Sequence, residues 1–402
     1  MLSFDEALAR LLADARPLGE VEVLPTLAVA GRVLAEAQYA TLNAPPLDNS
    51  AMDGYAVRVA DVPNLGTCLP VAQRILAGTV GTSLQPGTAA RIFTGAPIPA
   101  GADAVVMQER CAHGVAESVV LNHLPKPGEN IRRAGEDIAV GNCLLTAGQR
   151  LRPQDLALAA SVGIAHLPVR RRLRVAVFFT GDELCMPGEP LPPGAIYNSN
   201  RFLLTALLEQ LGCVVHDLGQ VADDLVATRA ALRAAAQDND LILTSGGVSV
   251  GDEDHIKAAV EAEGRLTLWK IAIKPGKPLA FGQIGAVDQA VPFVGLPGNP
   301  VSGFATFLML VRPFILRMQG VLQVTPATYT LRADFEWLRP DARREFLRAR
   351  INAGGGLDLF PQQGAGVLTS TVWADGLVDN PPQQVIRPGD LVRFLPFSEL
   401  LN

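Results

Sequence analysis

The chain has 402 residues, of which 49% are hydrophobic and 18% are charged, and its formal net charge is −6. This length exceeds what a single hydrophobic core usually holds and predicts several domains. The apolar fraction excludes a largely disordered chain. The acidic balance argues against a nucleic-acid-binding protein, because such proteins carry an excess of clustered basic residues.

Cysteine usage and the first residues favour a cytoplasmic protein. The five cysteines are scattered and form no C-x-x-C pair, which predicts reduced thiols rather than disulfides or zinc ligands. Asp5 and Glu6 stand where a signal peptide would be basic, and the surrounding apolar residues have the spacing of an amphipathic helix. The longest apolar run, residues 304–311, is shorter than the ~20 residues of a membrane span. We therefore expect no membrane segment.

The sequence pattern changes twice within the first 172 residues. Residues 1–43 read as a helix and short strands, and residues 44–146 alternate short β-type runs with turns that contain proline and glycine. Residues 152–162 then show helical periodicity, with Pro153 in the first turn, where proline is tolerated. This pattern predicts a β-rich module between two segments that contain helices.

Strands and helices alternate regularly over residues 173–318. The predicted strands are residues 173–179, 214–218, 241–243 and 291–294, and the predicted helices are residues 198–210, 225–236, 254–262 and 302–318. Apolar strands that alternate with helices indicate a mostly parallel sheet covered on both faces. Residues 327–402 again have the pattern of short β-type runs, which predicts a C-terminal β domain.

Three loops after predicted strands are suited to binding phosphate. They are residues 180–183, 244–249 and 296–300. In open α/β sheets ligands bind beyond the carboxyl ends of the strands, and glycines let backbone N–H groups approach a phosphate. One such loop is explained equally well as a tight turn, whereas three at one sheet edge favour a ligand site. No G-x-G-x-x-G follows a strand, and Pro278 follows Gly276 and Lys277, so neither a dinucleotide fingerprint nor a Walker A loop is present.

Carboxylates gather on the same loops. The acidic residues are Asp182, Glu183, Asp223, Asp224, Asp252, Glu253 and Asp254. Carboxylates beside phosphate-binding loops suit Mg²⁺, a hard cation that shares oxygen ligands with phosphates. Lys270, Lys274 and Lys277 would hold oxyanions as point charges. The alternative role of the carboxylates is to cap helices.

Two segments of the β-rich part are dense in turn-forming residues. Residues 45–58 pack Asp, Asn, Ser and Gly together, and residues 91–99 read as a strand followed by a turn. Side-chain bonds to the backbone explain such a composition without a ligand. Neither segment alone identifies a reaction.

Eight stretches, taken in order, match one known family. They are residues 48–58 (DNSAMDGYAVR), 94–97 (TGAP), 128–132 (GENIR), 135–137 (GED), 180–184 (TGDEL), 245–251 (SGGVSVG), 274–278 (KPGKP) and 296–300 (LPGNP). On these motifs the sequence resembles the molybdopterin molybdenumtransferase family, the MoeA and gephyrin E-domain family, over essentially its whole length.

The resemblance implies a multidomain α/β and β fold and a homodimer. The implied domains are an elongated mixed α/β domain (1–43 and 147–172), a β-rich domain (44–146), a pterin-binding α/β domain with a mostly parallel sheet (173–322) and a C-terminal β-barrel (323–402).

The resemblance also implies a reaction, in which molybdenum from molybdate is inserted into adenylylated molybdopterin and AMP is released. The catalytic positions of the family map onto Asp53, Thr94, Glu183, Asp223 and Asp254, of which the last three are the implied ligands of Mg²⁺ or another divalent cation. The implied substrate-binding residues are Thr180, Gly181, Ser245, Gly246, Gly247, Ser249, Lys270, Lys274, Lys277, Pro297, Gly298, Asn299 and Arg348. Transient contacts with the adenylyltransferase and with cofactor-accepting proteins are expected.

One position departs from the family pattern. A serine that is common in the family's C-terminal domain, near the oxyanion site, aligns with Ala365. The backbone of residues 363–366, or the hydroxyls of Thr369 and Ser370, are candidate substitutes for the missing donor.

Two other functions are open to a chain of this kind. The adenylyltransferase of the same pathway resembles residues 173–318 alone, and the additional modules with Asp53 and Arg348 argue against it. A gephyrin-like scaffold would have a long linker and an attached adenylyltransferase domain, which this sequence lacks.

Overall fold

The computed structural model describes residues 1–247, 255–276, 278–286, 288 and 290–401 of the chain. Three of the candidate residues, Ser249, Asp254 and Lys277, lie outside the described residues.

The N-terminal helix α1 spans Phe4–Asp14 and starts with a capping box. The Ser3 hydroxyl accepts a hydrogen bond from the Glu6 backbone N–H (3.2 Å), and the Glu6 carboxylate accepts one from the Ser3 N–H (2.9 Å). Phe4, Ala7 and Leu11 are buried in the core that covers the central sheet. The predicted amphipathic helix is therefore confirmed.

Short strands follow up to residue 172. They are β1 (Val21–Pro25), β2 (Gln38–Tyr39), β3 (Asn49–Ser50), β4 (Gly54–Val57), β5 (Thr67–Ile75), β6 (Ala89–Ile92), β7 (Ala104–Met107), β8 (Cys111–His113), β9 (Ser118–Leu121), β10 (Ile131–Arg132), β11 (Cys143–Leu145) and β12 (His166–Arg170), with helix α2 (Pro153–Ser161) between the last two. Six of them form one sheet in the order β7-β4-β6-β5-β9-β8. β1 pairs with β12 and β2 with β11, so the first part of the chain is joined to the part that follows the β-rich module.

The central part alternates strands and helices. Its elements are β13 (Arg174–Thr180), β14 (Leu184–Cys185), β15 (Ile196–Tyr197), α3 (Ser199–Gln210), β16 (Val214–Val221), α4 (Leu225–Gln237), β17 (Leu241–Ser245), α5 (His255–Glu263), β18 (Gly264–Lys270), β19 (Ile273–Lys274), β20 (Pro278–Ile284), β21 (Val291–Leu296), α6 (Pro300–Thr306), a π-helical turn (Phe307–Val311) and α7 (Arg312–Met318). The sheet order is β16-β13-β17-β21-β20-β18. The first four strands are parallel, as the alternation predicts, and β20 and β18 continue the sheet as an antiparallel pair that was not predicted.

Two hydrophobic cores cover the faces of this sheet. α3 and the helices of residues 300–318 pack on one face, and α4 and α5 pack on the other. Among the described residues, Pro300–Met318 is the one helix long and apolar enough to cross a membrane, and 94% of its most apolar window is buried inside the protein. Its apolar composition is therefore that of a core helix.

The strand order reverses between β13 and β17. The chain leaves β13 for β16 on one side and returns to β17 on the other side of β13. Such a reversal opens a crevice at the carboxyl ends of the two strands, where ligands bind in doubly wound folds.

The C-terminal part is a second sheet with its own core. Its elements are β22 (Tyr329–Arg332), β23 (Arg344–Ile351), β24 (Leu357–Leu359), α8 (Thr369–Trp373), β25 (Gly376–Asn380), β26 (Leu391–Pro396) and α9 (Phe397–Leu400). The sheet runs β19-β23-β25-β26-β22, with β24 paired to β23, and β19 joins it to the central part. One bridge, between Ala333 and Leu357, connects the end of β22 to β24. Complete closure into a barrel stays a prediction.

Candidate functional site

A cleft of about 660 Å³ lies at the carboxyl ends of the parallel strands. Phe179 of β13 pairs with Ser245 of β17, and Ser245 pairs with Leu296 of β21, so the three strands end at the same level. The loops that follow them therefore meet in one place. The candidate residues that line the cleft are Thr180, Gly181, Glu183, Asp223, Ser245, Gly246, Gly247, Pro297, Gly298 and Asn299. A volume of this size is typical of small-molecule sites.

Glycines bring the loop backbones into contact where a side chain would not fit. Gly246 has φ +101°, and a Cβ atom there would lie 2.5 Å from the carbonyl oxygen of Thr180. Gly181 has φ +143°, and a Cβ atom there would lie 2.6 Å from the Glu183 carboxylate. Both positions combine a backbone conformation that favours glycine with a close approach. Glycine at these two positions therefore lets the loops approach one another closely at the cleft wall.

Replacement of Gly246 by alanine is expected to lower the free energy of unfolding by about 1–3 kcal/mol, because it adds strain at positive φ and a clash with Thr180. Chemical denaturation of the variant measures this loss. Gly298→Ala is the matched comparison, since a Cβ there meets nothing closer than 3.7 Å and should leave stability within about 0.5 kcal/mol. Equal stability of the two variants would contradict the geometry given for Gly246.

Asn200, in the first turn of α3, ties two of the loops together. Its side-chain amide donates to the Ser245 hydroxyl (2.9 Å) and to the Gly298 carbonyl (2.7 Å). The Ser245 hydroxyl in turn donates to the Pro297 carbonyl (3.3 Å). Sequence reasoning missed Asn200. The only signal was the polar helix start Asn198-Ser199-Asn200, which is also what an ordinary helix cap contains.

Several residues that line the cleft have a buried polar atom without a hydrogen-bond partner among the described residues. These atoms are Thr180 Oγ1, Asn198 Nδ2 and Asn200 Oδ1. Buried polar groups in native proteins are nearly always paired, and a site that binds a polar ligand is one of the known exceptions. Unpaired polar groups therefore surround the cleft, as is expected of a site for a polar molecule.

Two candidate metal-binding carboxylates, Glu183 and Asp223, line the cleft. Oxygen donors of this kind fit Mg²⁺, which keeps several waters and usually takes only one or two carboxylates together with substrate phosphates. Within the described ranges no group of three His, Cys, Asp or Glu side chains is arranged to hold a metal. The two described carboxylates thus fit a cation that is held jointly with a phosphorylated substrate.

The two candidate lysines that the structure describes, Lys270 and Lys274, do not line the cleft. Lys270 is exposed at the end of β18. Lys274 Nζ lies 3.1 Å from a Glu345 carboxylate oxygen and 3.6 Å from one of Asp341. Arg343, which sequence reasoning did not assign, does line the cleft and binds Asp341 with two donors at 2.9 Å. These bonds from Arg343 hold the pKa of Asp341 well below its usual value. A compact cluster of two cations and two carboxylates therefore borders the cleft.

Arg348 lies behind the cleft wall and is 1% exposed. Its guanidinium donates to the Ser370 hydroxyl (3.1 Å), the Phe346 carbonyl (3.1 Å) and the Gly364 carbonyl (3.3 Å). No carboxylate forms an ion pair with Arg348 in the part of the chain that the structure describes. Burial lowers the pKa of Arg348 to about 10, so the side chain is charged at neutral pH.

The departure at Ala365 falls on the cleft wall. Ala365 lines the cleft, and its carbonyl accepts a hydrogen bond from the Val301 N–H (3.0 Å) at the start of α6. The Ser370 hydroxyl, one candidate substitute, is buried and engaged with Arg348, while Thr369 is exposed at the start of α8. Neither hydroxyl lines the cleft.

Asp53 and Thr94 are brought together in the β-rich sheet but do not line the cleft of the same chain. The Asp53 carboxylate accepts hydrogen bonds from the Thr94 backbone N–H and hydroxyl, both at 2.8 Å. These two bonds, the backbone one first, hold the pKa of Asp53 below its usual value. The pair is therefore an ionised carboxylate with a fixed hydroxyl beside it, on the surface of the module.

The sequence matches three family models along its length. Residues 2–163 match the MoeA N-terminal region (domain I and II), residues 176–317 match a probable molybdopterin binding domain, and residues 330–397 match the MoeA C-terminal region (domain IV). A molybdopterin molybdenumtransferase of Haemophilus influenzae is 40% identical over 409 residues, which cover 100% of both chains. Molybdopterin molybdenumtransferase 2 of Mycobacterium tuberculosis is 38% identical over 94% of each chain.

Solved structures show the same overall similarity. A crystal structure of a molybdopterin biosynthesis MoeA protein from Pyrococcus horikoshii is 31% identical, with a TM-score of 0.80 over 99% of both chains. A second structure with that description is 28% identical, with a TM-score of 0.85 over 98% of this chain and 100% of that one. The similarity thus covers every part of the fold described above.

Proposed function

Because the chain belongs to the MoeA family of molybdopterin molybdenumtransferases, we propose that its cleft binds adenylylated molybdopterin and inserts molybdenum there, with release of AMP. The enzyme transfers molybdenum in the biosynthesis of the molybdenum cofactor, and molybdate is its oxyanion substrate. The observation that carries the proposal is the convergence of three glycine-containing loops, two carboxylates and unsatisfied polar atoms in one cleft.

The loops are suited to hold the phosphates of the substrate. Gly181 and Gly298 leave the backbone open to a ligand, and α6 begins at Pro300, with its N-cap Asn299 at the cleft. Backbone N–H groups and the positive end of a helix both favour an anion. Binding there fixes the phosphoanhydride relative to the loops, and catalysis is mainly positioning and charge stabilisation.

Glu183 and Asp223, and Asp254 outside the described residues, would hold Mg²⁺ or another divalent cation. When bound, that cation neutralises charge on the phosphate oxygens as AMP leaves. The two described carboxylates face the same cleft as the loops, so their own role is to keep the cation beside the phosphates.

Molybdate would bind at the border between the cleft and the C-terminal sheet. Lys274, Arg343 and Arg348 bring positive charge to this border, and Lys270 and Lys277 belong to the neighbouring segment. Arg348 does not line the cleft. It donates to the Gly364 carbonyl and so holds the turn of Gly364 and Ala365, which forms part of the cleft wall. A tetrahedral dianion is stabilised by such charge-assisted contacts.

Replacement of Arg348 by methionine is expected to raise the molybdate concentration needed for half-maximal rate by about tenfold, because it removes a buried positive charge beside the oxyanion site and the donor that holds the Gly364 carbonyl. Molybdate titrations of AMP release measure this change. Ala365→Ser, which adds the hydroxyl common in the family, should lower the molybdate concentration needed for half-maximal rate. If Arg348→Met weakened pterin binding and left the molybdate requirement unchanged, the oxyanion role would be wrong.

We also propose that the active unit is a homodimer whose β-rich module completes the partner's cleft. The support is that Asp53 and Thr94 form an ordered pair at the surface and do not line the cleft of their own chain. A two-fold dimer would contain two identical composite sites. The same proposal includes the division into domains given above and a cytoplasmic location. It also includes transient contacts with the adenylyltransferase and with cofactor-accepting proteins.

Subunit mixing tests the composite site. Heterodimers of Asp53→Asn and Glu183→Gln chains would contain one site with both lesions and one with neither, so about half of the wild-type activity per heterodimer should return. Homodimers of each variant are the controls. Heterodimers as inactive as the parents would show that each chain builds its own site.

A further inference from the structure

Arg91 connects β4, which begins directly after Asp53, with β6, which ends two residues before Thr94. It lies in β6, directly across from Tyr55 of β4. One guanidinium nitrogen donates to the Gly54 carbonyl (2.9 Å), and the other terminal nitrogen donates to Gln108 Oε1 (2.6 Å). Gln108 in turn donates its backbone N–H to the Asp53 carbonyl (3.0 Å). Arg91 thus binds both the residue after Asp53 and the residue that bonds to the Asp53 backbone.

The same guanidinium also packs on rings beside both members of the pair. It lies 5.2 Å from the centroid of the Tyr55 ring and 4.6 Å from that of the Phe93 ring. Phe93 immediately precedes Thr94. Stacking on two rings and a planar fork of donors fix the orientation of an arginine in a way that lysine cannot reproduce.

We propose that Arg91 is a positioning residue, which holds β4 and the turn after β6 in the arrangement that places the Thr94 donors on the Asp53 carboxylate. Both bonds of that pair reach the same oxygen, Asp53 Oδ1, at 2.8 Å. A small shift of one strand against the other would break them together. The inference rests on the proposed function, in which Asp53 contributes to the site.

Arg74 provides a matched control for charge and ring packing. Its guanidinium lies 4.9 Å from the centroid of the same Phe93 ring, on β5, the strand next to β6. Within the described residues it forms no hydrogen bond to Gly54, Gln108 or any neighbour of Asp53. Its removal takes away the same charge and a similar ring contact but leaves the bonds that fix Asp53.

The experiment measures AMP release by the full-length enzyme with Arg91→Gln, Arg91→Lys, Arg74→Gln, Asp53→Asn and the double variant Asp53→Asn with Arg91→Gln. Both Arg91 variants should lower kcat by about tenfold to a hundredfold, as misplacement of a site group does, with the KM for molybdate changed less than about twofold. Arg74→Gln should keep the wild-type kcat. In the Asp53→Asn background, Arg91→Gln should cause no further loss, because Arg91 acts through Asp53. Thermal unfolding is followed to choose a temperature at which all variants are folded.

A wild-type kcat for Arg91→Lys, or a full additional loss in the double variant, would overturn the positioning role. If Asp53→Asn is impaired while Arg91→Gln behaves like Arg74→Gln, this inference alone fails. If Asp53→Asn keeps full activity, both this inference and the proposed contribution of Asp53 to the site fail.

Discussion

Replacement of Lys274 by alanine is expected to lower the free energy of unfolding by about 2 kcal/mol and to remove most of the molybdate-dependent activity. Glu345, its partner at 3.1 Å, has a fully buried side chain, so loss of the ammonium leaves a buried carboxylate without its counter-ion. Such a loss costs about 3–5 kcal/mol for a fully buried pair. The Lys274 side chain is 35% exposed, so water replaces part of the interaction, and the expected loss falls below that range, to about 2 kcal/mol. Denaturant unfolding and AMP release measure the two effects.

The double variant Lys274→Met with Glu345→Gln separates stability from function. It leaves no unpaired charge at residue 345. The remaining donors to that residue, Trp337 Nε1 (2.7 Å), the Asp341 N–H (3.2 Å) and Asn380 Nδ2 (3.4 Å), still find an oxygen acceptor. Stability should therefore return toward the wild type, while activity stays low if Lys274 also attracts molybdate. Recovery of activity together with stability would show that the role of Lys274 is structural only.

The second large effect is expected for Glu183→Gln, which should lower the rate of AMP release by on the order of 10²-fold while the protein stays folded. The side chain keeps its shape but loses the negative charge that faces the cleft beside Gly181. The apparent affinity for Mg²⁺ should fall in parallel, since a hard cation prefers carboxylate oxygen. A titration of the rate with Mg²⁺ measures both changes.

Asp182→Asn is the control for Glu183→Gln, because Asp182 is exposed on the same turn and does not line the cleft. It removes the same charge one residue away and should leave the rate within about twofold. If the two variants were equally impaired, the effect would come from the net charge of the turn, and the assignment of Glu183 as a cation ligand would be wrong.

The central sheet and its cleft were predictable because their signals are local. Residues 175–179 are a continuous apolar run, and the parallel strands β13, β17 and β21 are each followed by a polar, glycine-containing loop. Parallel strands end at a common edge, so the loops had to meet. The antiparallel β18 and β20 were missed because β20 begins with Pro278 and contains Gly282, residues that weaken a strand pattern.

Contacts between residues far apart in sequence were not predictable from local patterns. Lys274 and Glu345 are 71 positions apart, and Asn200 is 98 positions from Gly298. Nothing in the residues around Lys274 indicated that a buried carboxylate would hold it. The hydrogen bonds between Asp53 and Thr94, 41 positions apart, were not predicted either. The family resemblance assigned both residues to the site without joining them, and each stretch alone reads as an ordinary turn.

The most direct test of the account is release of AMP from purified adenylylated molybdopterin by this enzyme, with and without molybdate, in the absence of ATP. We expect AMP release that depends on molybdate and is lost in Glu183→Gln. The matches to the MoeA N-terminal and C-terminal regions, in addition to the molybdopterin binding domain, favour this result over an adenylyltransferase or a scaffold. Consumption of ATP with unadenylylated molybdopterin, or no reaction with either substrate, would contradict it.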